Sequence, residues 1–324
     1  MGLRAYVLRR LSHMAIAWFV FVSLIFVLFR IVPGDPTTVL AGEGINPETR
    51  QQLLEAYGVD QPLYVQYFMF MTDLFQLDLG VSYYHGRPVI DIIGFYFLNT
   101  VILMGTAFIL AYTTGVIFGA LLGWYRGTNF ERYGIVATLI ARSSPEFWTG
   151  IVLLIVFVFW LGWFPWGGMG GYGQQWEGYD RYLRLDFLRH LALPALAAAI
   201  FYVATPTLLM RNTMIDVIDQ DFIEIKRAEG LPKWRILFLH AARNSMMPVV
   251  TIASIVVGLA IGGSVVIEVV FNWPGMGREM VRAVQANDYP MAQGTFLLMG
   301  TTIIVMNFVA DMAYMYLDPR VQYE

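Results

Sequence analysis

Six runs of apolar residues, broken by short polar connections, pattern the chain: approximately Met14 to Val32, Val101 to Trp124, Ile135 to Trp163, Leu191 to Met210, Met246 to Phe271 and Gly294 to Leu317. A hydrocarbon layer about 30 Å thick takes roughly 20 apolar residues in a helix, and lipid offers no partner to an open backbone, so each run predicts a spanning helix. The first run follows MGLRAYVLRRLSH, is too long for the core of a signal peptide and lacks a small-x-small cleavage site. It is therefore expected to stay in place as the first span.

Composition agrees: 57% of the residues are hydrophobic and 14% charged, against about 25% charged in a typical soluble domain. The pattern is that of an all-α integral membrane protein with about six transmembrane helices. Net charge is −3, and no long basic run or basic-aromatic interleaving points to nucleic acid. Cysteine is absent, which closes off disulfides and thiolate chemistry. Charge matters here by location. With the amino terminus inside, the inner connections hold Arg4, Arg9, Arg10, Arg126, Arg132, Arg211, Lys226, Arg227, Lys233, Arg235, Arg243 and Arg320. The longer outer connections hold only Arg50, Arg87, Arg181, Arg184, Arg189, Arg278 and Arg282. The bias of basic residues toward the cytoplasm then places both termini on the cytoplasmic side of the cell membrane.

The connections also carry local structure. Residues 1–98 divide off as a first helix plus an extracytoplasmic loop region, ahead of a five-helix core at 99–324. In that loop, Asn46-Pro47-Glu48 reads as a cap, a first-turn proline and an acidic first turn, with Gly58 as a stop; a second short helix starts near Pro62. Together they predict a small cap over the outer mouth. The outer stretch Trp163 to Tyr182, with GGMGGYG, predicts interfacial aromatics and turn glycines rather than a ligand cage.

The largest inner connection, RNTMIDVIDQDFIEIKRAEGLPKWRILFLHAARNS (211–245), is too polar to span. Asp221 as a capping candidate, a mixed apolar and charged stretch, and Gly230-Leu231-Pro232 predict a short helix, a sharp break and another helix leading into the fifth span. Such a segment is either a rigid docking knob for a partner or an amphipathic helix lying on the inner leaflet.

Asp221-Phe222, Arg227-Ala228-Glu229-Gly230-Leu231, His240-Ala241-Ala242-Arg243-Asn244 and Pro248 resemble the cytoplasmic loop of ABC-type importer permeases, more narrowly the dipeptide, oligopeptide and nickel permease family. Glu224 and Gly230 occupy the ends of that family's Glu-Ala-Ala…Gly pattern, with Ile225 and Lys226 in place of the alanines. The likeness runs along the chain. It includes Arg30-Ile31-Val32-Pro33-Gly34-Asp35-Pro36, Leu79-Gly80-Val81-Ser82, Gly86-Arg87-Pro88-Val89 and Ser144-Pro145-Glu146-Phe147-Trp148. Trp273-Pro274-Gly275-Met276-Gly277, Asp288-Tyr289-Pro290 and Asp318-Pro319-Arg320 complete it.

The resemblance implies an ABC importer type I permease fold. It implies a translocation path shared with a second homologous permease in a heterodimer, two ATP-binding subunits at the cytoplasmic face and an extracytoplasmic solute-binding protein. Asp221, Phe222, Glu224, Arg227, Ala228, Glu229, Gly230, Leu231 and Arg235 would form the coupling segment that docks on the ATPase. Peptides are the implied cargo, with nickel, glutathione or oligosaccharide as alternatives. No G-x-x-x-x-G-K-[ST] phosphate loop occurs, so ATP and magnesium are expected on the partner subunits and no cofactor on this chain.

Charge at membrane depth points to pairing or to function. Arg142 and Glu146, four apart in the third span, are expected to neutralise each other on one helix face, with Pro145 bending the helix between them. Asp311, sharing a face with Asn307, is expected to brace two helices; Glu268 and Arg30 are expected to reach water at the outer interface. Gly262, Gly263 and Ser264, with Arg142 and Glu146, are the candidates for the translocation path, and the four scattered histidines predict no metal site. A self-contained secondary transporter or channel would show inverted repeats or a chain of intramembrane acids, and an intramembrane enzyme a catalytic pair; the sequence shows neither.

Overall fold

The computed structural model describes residues 3–31, 61–170, 178–261 and 265–317. Among them, regular structure is helical except for one bridge between Val81 and Pro88. In chain order the helices are α1 (Leu3–Ile31), α2 (Leu63–Phe75), α3 (Val89–Trp124), α4 (Asn129–Ser143), α5 (Glu146–Leu153), α6 (Leu185–Tyr202), α7 (Ala204–Ile218), α8 (Asp221–Ala228), α9 (Lys233–Arg235), α10 (Arg243–Ile261), α11 (Val265–Val270), α12 (Met276–Gln285) and α13 (Tyr289–Leu317). A π-helical turn, Leu154–Trp160, extends α5, and another, Ile236–Ala242, joins α9 to α10. Five helical stretches among these residues are long and apolar enough to cross a membrane, and the α4–α5 pair supplies a sixth. The chain is a multi-pass membrane protein.

The third span differs from expectation. The sequence predicts one bent helix; the structure breaks it into α4 and α5, which meet at 102°. Ser144 takes extended backbone angles (φ −74°, ψ 127°), as a residue before proline prefers, and Pro145 has no N–H to continue the ladder. Arg142 and Glu146 therefore lie on different helices and do not share a face. The Arg142 guanidinium instead stands 4.5 Å from the centre of the Phe201 ring. The fourth span divides too: Val203 separates α6 from α7, because Pro206 cannot donate to the carbonyl of Tyr202 and its ring crowds it.

Helix α3, at about 1.5 Å per residue, is some 54 Å long and outreaches any bilayer core. It runs unbroken through residue 98, and it packs on α6 and α7. Lipid gives no hydrophobic drive between helices, so close approach decides which faces meet. Along α3, Gly115, Gly119 and Gly123 form that surface: a Cβ at these positions would fall 2.7 Å from Pro206 Cγ, 2.3 Å from the Thr207 carbonyl and 2.6 Å from Met214 Cβ.

Helix α1 packs against α13. Trp18 Nε1 donates to Thr301 Oγ1 at 3.1 Å, the Phe21 ring fills the space a side chain at Gly300 would need, and Arg10 pairs with Asp311 at 3.0 Å. Asp311 thus braces two helices as the sequence leads one to expect, with a guanidinium as its partner. The second helix expected in the loop after the first span begins at Leu63 after Pro62 as predicted, and it lies lengthwise on α1: Tyr67 meets the Phe26 ring edge-on, Phe70 lies tilted against it, and Phe75 lies near Trp18. The helix expected between Asn46 and Gly58 lies outside the described residues.

Candidate functional site

Helix α8 stands at the end of the bundle that carries the amino terminus of α1. Gln220, in extended conformation, is its N-cap, so Asp221 is a first-turn acid and not the cap itself. Its far end closes in a Schellman arrangement. Gly230 N donates to Arg227 O at 3.0 Å, Leu231 N reaches Lys226 O at 3.4 Å, and Gly230 takes φ +76°. Pro232 then caps α9, and the chain turns back through the π-helical turn into α10. This is the helix, break and helix that the sequence predicts.

One face of the segment is fixed to the bundle. Ile223 is fully buried and, with Phe222 and Leu231, joins a cluster formed by Met210, Met214, Val217, Ile236 and Leu237. The other face is open: Asp221, Glu224, Arg227, Ala228, Glu229, Gly230 and Arg235 are exposed. Among these charges stand two large apolar side chains, Ile225 at 57% exposure and Trp234 at 62%. Apolar anchors ringed by charge, on a rigid base, are what a protein-docking surface needs. The sequence reading missed Ile225 and Trp234 as anchors, although their place opposite Ile223 and Ile236 could have been read from helical spacing.

Ion pairs back this segment. Arg126 holds Asp219 with two bonds, 2.6 and 2.9 Å, which keep the guanidinium's pKa above its ordinary value. Glu131, in the first turn of α4, accepts from Gly127 N at 2.6 Å and from Arg211 Nε at 2.8 Å.

The motifs at 79–89, 273–277 and 288–290 gather at the opposite end. Asp288, almost fully buried, accepts from Ser82 Oγ at 2.5 Å and from the backbone N–H groups of Tyr83 and Tyr84 at 3.1 Å each. Beside it His85 lies 3.2 Å from Glu279, which also binds Arg282. Burial works against the Arg282 charge, but Glu279, together with Tyr96 and Tyr84, raises the guanidinium's pKa above its ordinary value.

Glu268 corrects an expectation: it does not reach water but is fully buried. Its carboxylate accepts from Thr100 Oγ1 at 2.5 Å and from Arg278 N at 2.9 Å; Met276 N donates to the same Thr100 oxygen at 2.8 Å. A Cβ on Gly275 would come within 2.3 Å of Glu268, so the carboxylate is the reason this turn carries glycine. Trp273 Nε1 donates to Asn99 O at 3.1 Å, and Asn99 Nδ2 returns a bond to Pro274 O at 2.8 Å. These bonds tie the turn between α11 and α12 to the middle of the first half of α3.

Of the proposed path residues, Arg142 and Glu146 flank the α4–α5 bend, beside exposed Val136, Ile140, Phe147 and Trp148. Gly262, Gly263 and Ser264 lie outside the described residues.

The chain matches the family model described as "binding-protein-dependent transport system inner membrane component" over residues 115–323, and the model for the N-terminal part of such membrane components over residues 3–104. A peptide transport system permease protein of Brucella abortus (strain 2308) is 35% identical to it over 99% of both chains. The dipeptide transport system permease protein of Escherichia coli (strain K12) is 32% identical over 98% of this chain and 99% of its own. The oligopeptide transport system permease protein of Bacillus subtilis (strain 168) is 36% identical over 98% and 99%.

Proposed function

From the premise that this chain belongs to the family of binding-protein-dependent transport system inner membrane components, we infer that it is the permease subunit of an ABC importer whose cargo is peptides. The relatives' names carry the cargo class. The observation that carries the mechanism is the open face of α8: a short helix, pinned by Ile223 and ended by Gly230, that offers Ile225 and Trp234 among charges. That face docks on an ATP-hydrolysing subunit, with Asp221, Glu224, Arg227, Glu229 and Arg235 as its polar rim and Ala228 leaving room for close approach.

The end that carries α8 is cytoplasmic, as are both termini, which the distribution of Lys and Arg supports. ATP and magnesium belong to the partner subunits, and this chain performs no hydrolysis of its own. A second, homologous permease completes the path in a heterodimer. The binding protein delivers cargo at the opposite end, where the 81–88 hairpin and α12 are fastened together by Asp288 and Glu279. Arg142, Glu146 and the segment Gly262-Gly263-Ser264 are proposed to face the path.

Copurification from detergent, after co-expression with the partner subunits, tests this. The wild-type chain brings two ATPase copies with it, and Ile225→Asp or Trp234→Ala loses them while the chain still inserts. Retention of the ATPase by both variants would place docking elsewhere.

A further inference from the structure

Glu131, Arg211, Arg126 and Asp219 lie behind the docking face, and none belongs to the segment assigned to docking. They join three helices that reach this end separately. Arg126 follows the last turn of α3, Glu131 sits in the first turn of α4, Arg211 lies on α7, and Asp219 is the residue after α7's last. Only Gln220 separates Asp219 from α8.

The two ion pairs differ in character. Arg126–Asp219 is bidentate and open to water, with side chains 46% and 57% exposed, so solvent screens it strongly. Glu131–Arg211 is sheltered: Glu131 also caps Gly127 N, and Arg211 approaches with both Nε and Nη2. Losing Arg211 would leave the mostly covered Glu131 carboxylate with the Gly127 N–H as its remaining partner. Between them lies the glycine seam. Gly119 and Gly123 let α3 touch the Thr207 and Arg211 carbonyls, and Gly134 of α4 lies against Leu122 of α3. Such a seam is too close-packed to slide, because any displacement drives backbone into backbone. At their inner ends α3, α4 and α7 therefore form one body, and α8 is bonded to it through Gln220 and Ile223.

The exit from the docking segment is built otherwise. Pro232 opens it, α9 lasts one turn, and the connection to α10 is π-helical over Ile236–Ala242. Its Ile236, Leu237, Ala241 and Ala242 are nonetheless buried in the same cluster as Met210 and Met214, so the turn packs on α7.

We propose that Glu131–Arg211 and Arg126–Asp219 are positioning contacts that make α3, α4 and α7 travel with α8 as a single lever, so that displacement of the docking face moves these helices together. The proposal rests on the permease reading above and deepens it.

The test uses the assembled importer reconstituted in proteoliposomes with its binding protein, fed a tritium-labelled mixture of short peptides. The quantity read is peptide imported per ATP hydrolysed, which a purely structural role would not move selectively. Arg126→Asp and Asp219→Arg each lower this ratio about threefold, in line with an exposed pair, and the double exchange restores it. Glu131→Gln lowers it about tenfold, the loss of a charge-assisted bond. Since the chain has no cysteine, Arg126→Cys with Asp219→Cys can be joined by a short bis-maleimide, and import continues after joining. Wild-type ratios in the single variants, no rescue by the exchange, or arrest on cross-linking would each overturn the lever. Copurification of the ATPase with the unmodified chain is scored separately: its failure removes the permease reading, and the lever with it, whereas failure of the ratios alone removes only the lever.

Discussion

Gly230 illustrates how one residue can matter without a close neighbour. A Cβ there would meet nothing within 4 Å, yet the φ of +76° charges any other residue about 1–2 kcal/mol, and the position lies on the open docking face. Gly230→Arg is expected to insert normally and to abolish peptide uptake, since it adds bulk and charge where the ATPase must approach; uptake assays alongside membrane fractionation check this. Its place was legible, because a helix stop before Leu-Pro is a local signal. Glu268 was not. It reads as an acid near an interface, and its burial depends on Thr100, 168 positions away, and on two glycines that make room for it. Glu268→Leu should leave Thr100 and Arg278 N without their acceptor, at a cost of about 2–4 kcal/mol. A lowered unfolding midpoint in detergent would register that loss, while an unchanged midpoint would mean that the carboxylate contributes nothing net.

Between elements, the decisive surfaces are backbone against backbone. The spacing Gly115-x-x-x-Gly119-x-x-x-Gly123 stands openly in the sequence, as small residues on one face; what it cannot announce is the partner helix, which is α7. Gly119→Leu places a side chain 2.3 Å from the Thr207 carbonyl and must push α3 from α7, an overpacking cost of about 3 kcal/mol or more. Gly105→Ala, in the same helix but with nothing within 4 Å, should shift stability by at most about 1 kcal/mol, upward. Thermal unfolding of the two variants side by side gives the contrast directly. The bend at Pro145 was equally legible as a bend, whereas its size, and hence the separation of Arg142 from Glu146, depends on tertiary packing that no local pattern encodes.

At the scale of the whole molecule, six spans were readable because length and hydropathy alone decide what lipid accepts, and the full-length likeness to peptide permeases agrees with them. Sidedness rests on the basic residues and can be tested by single cysteines in this cysteine-free chain. Ile225→Cys should react with a membrane-impermeant maleimide only in inverted vesicles, and Gln285→Cys only in intact cells stripped of the outer layer. The reverse pattern would turn the molecule over, and with it the placement of ATPase and binding protein.

The contacts joining α1 to α13, from Arg10–Asp311 through Trp18–Thr301 to Phe21 against Gly300, tie together helices that leave the ribosome far apart in time, 283 positions separating Trp18 from Thr301. Helix α1, with only α2 along it, must therefore wait for this partner until α13 has been made. Chains released before Gly300 should leave that segment loose and exposed to membrane proteases, a checkpoint on biogenesis written into the order of the helices.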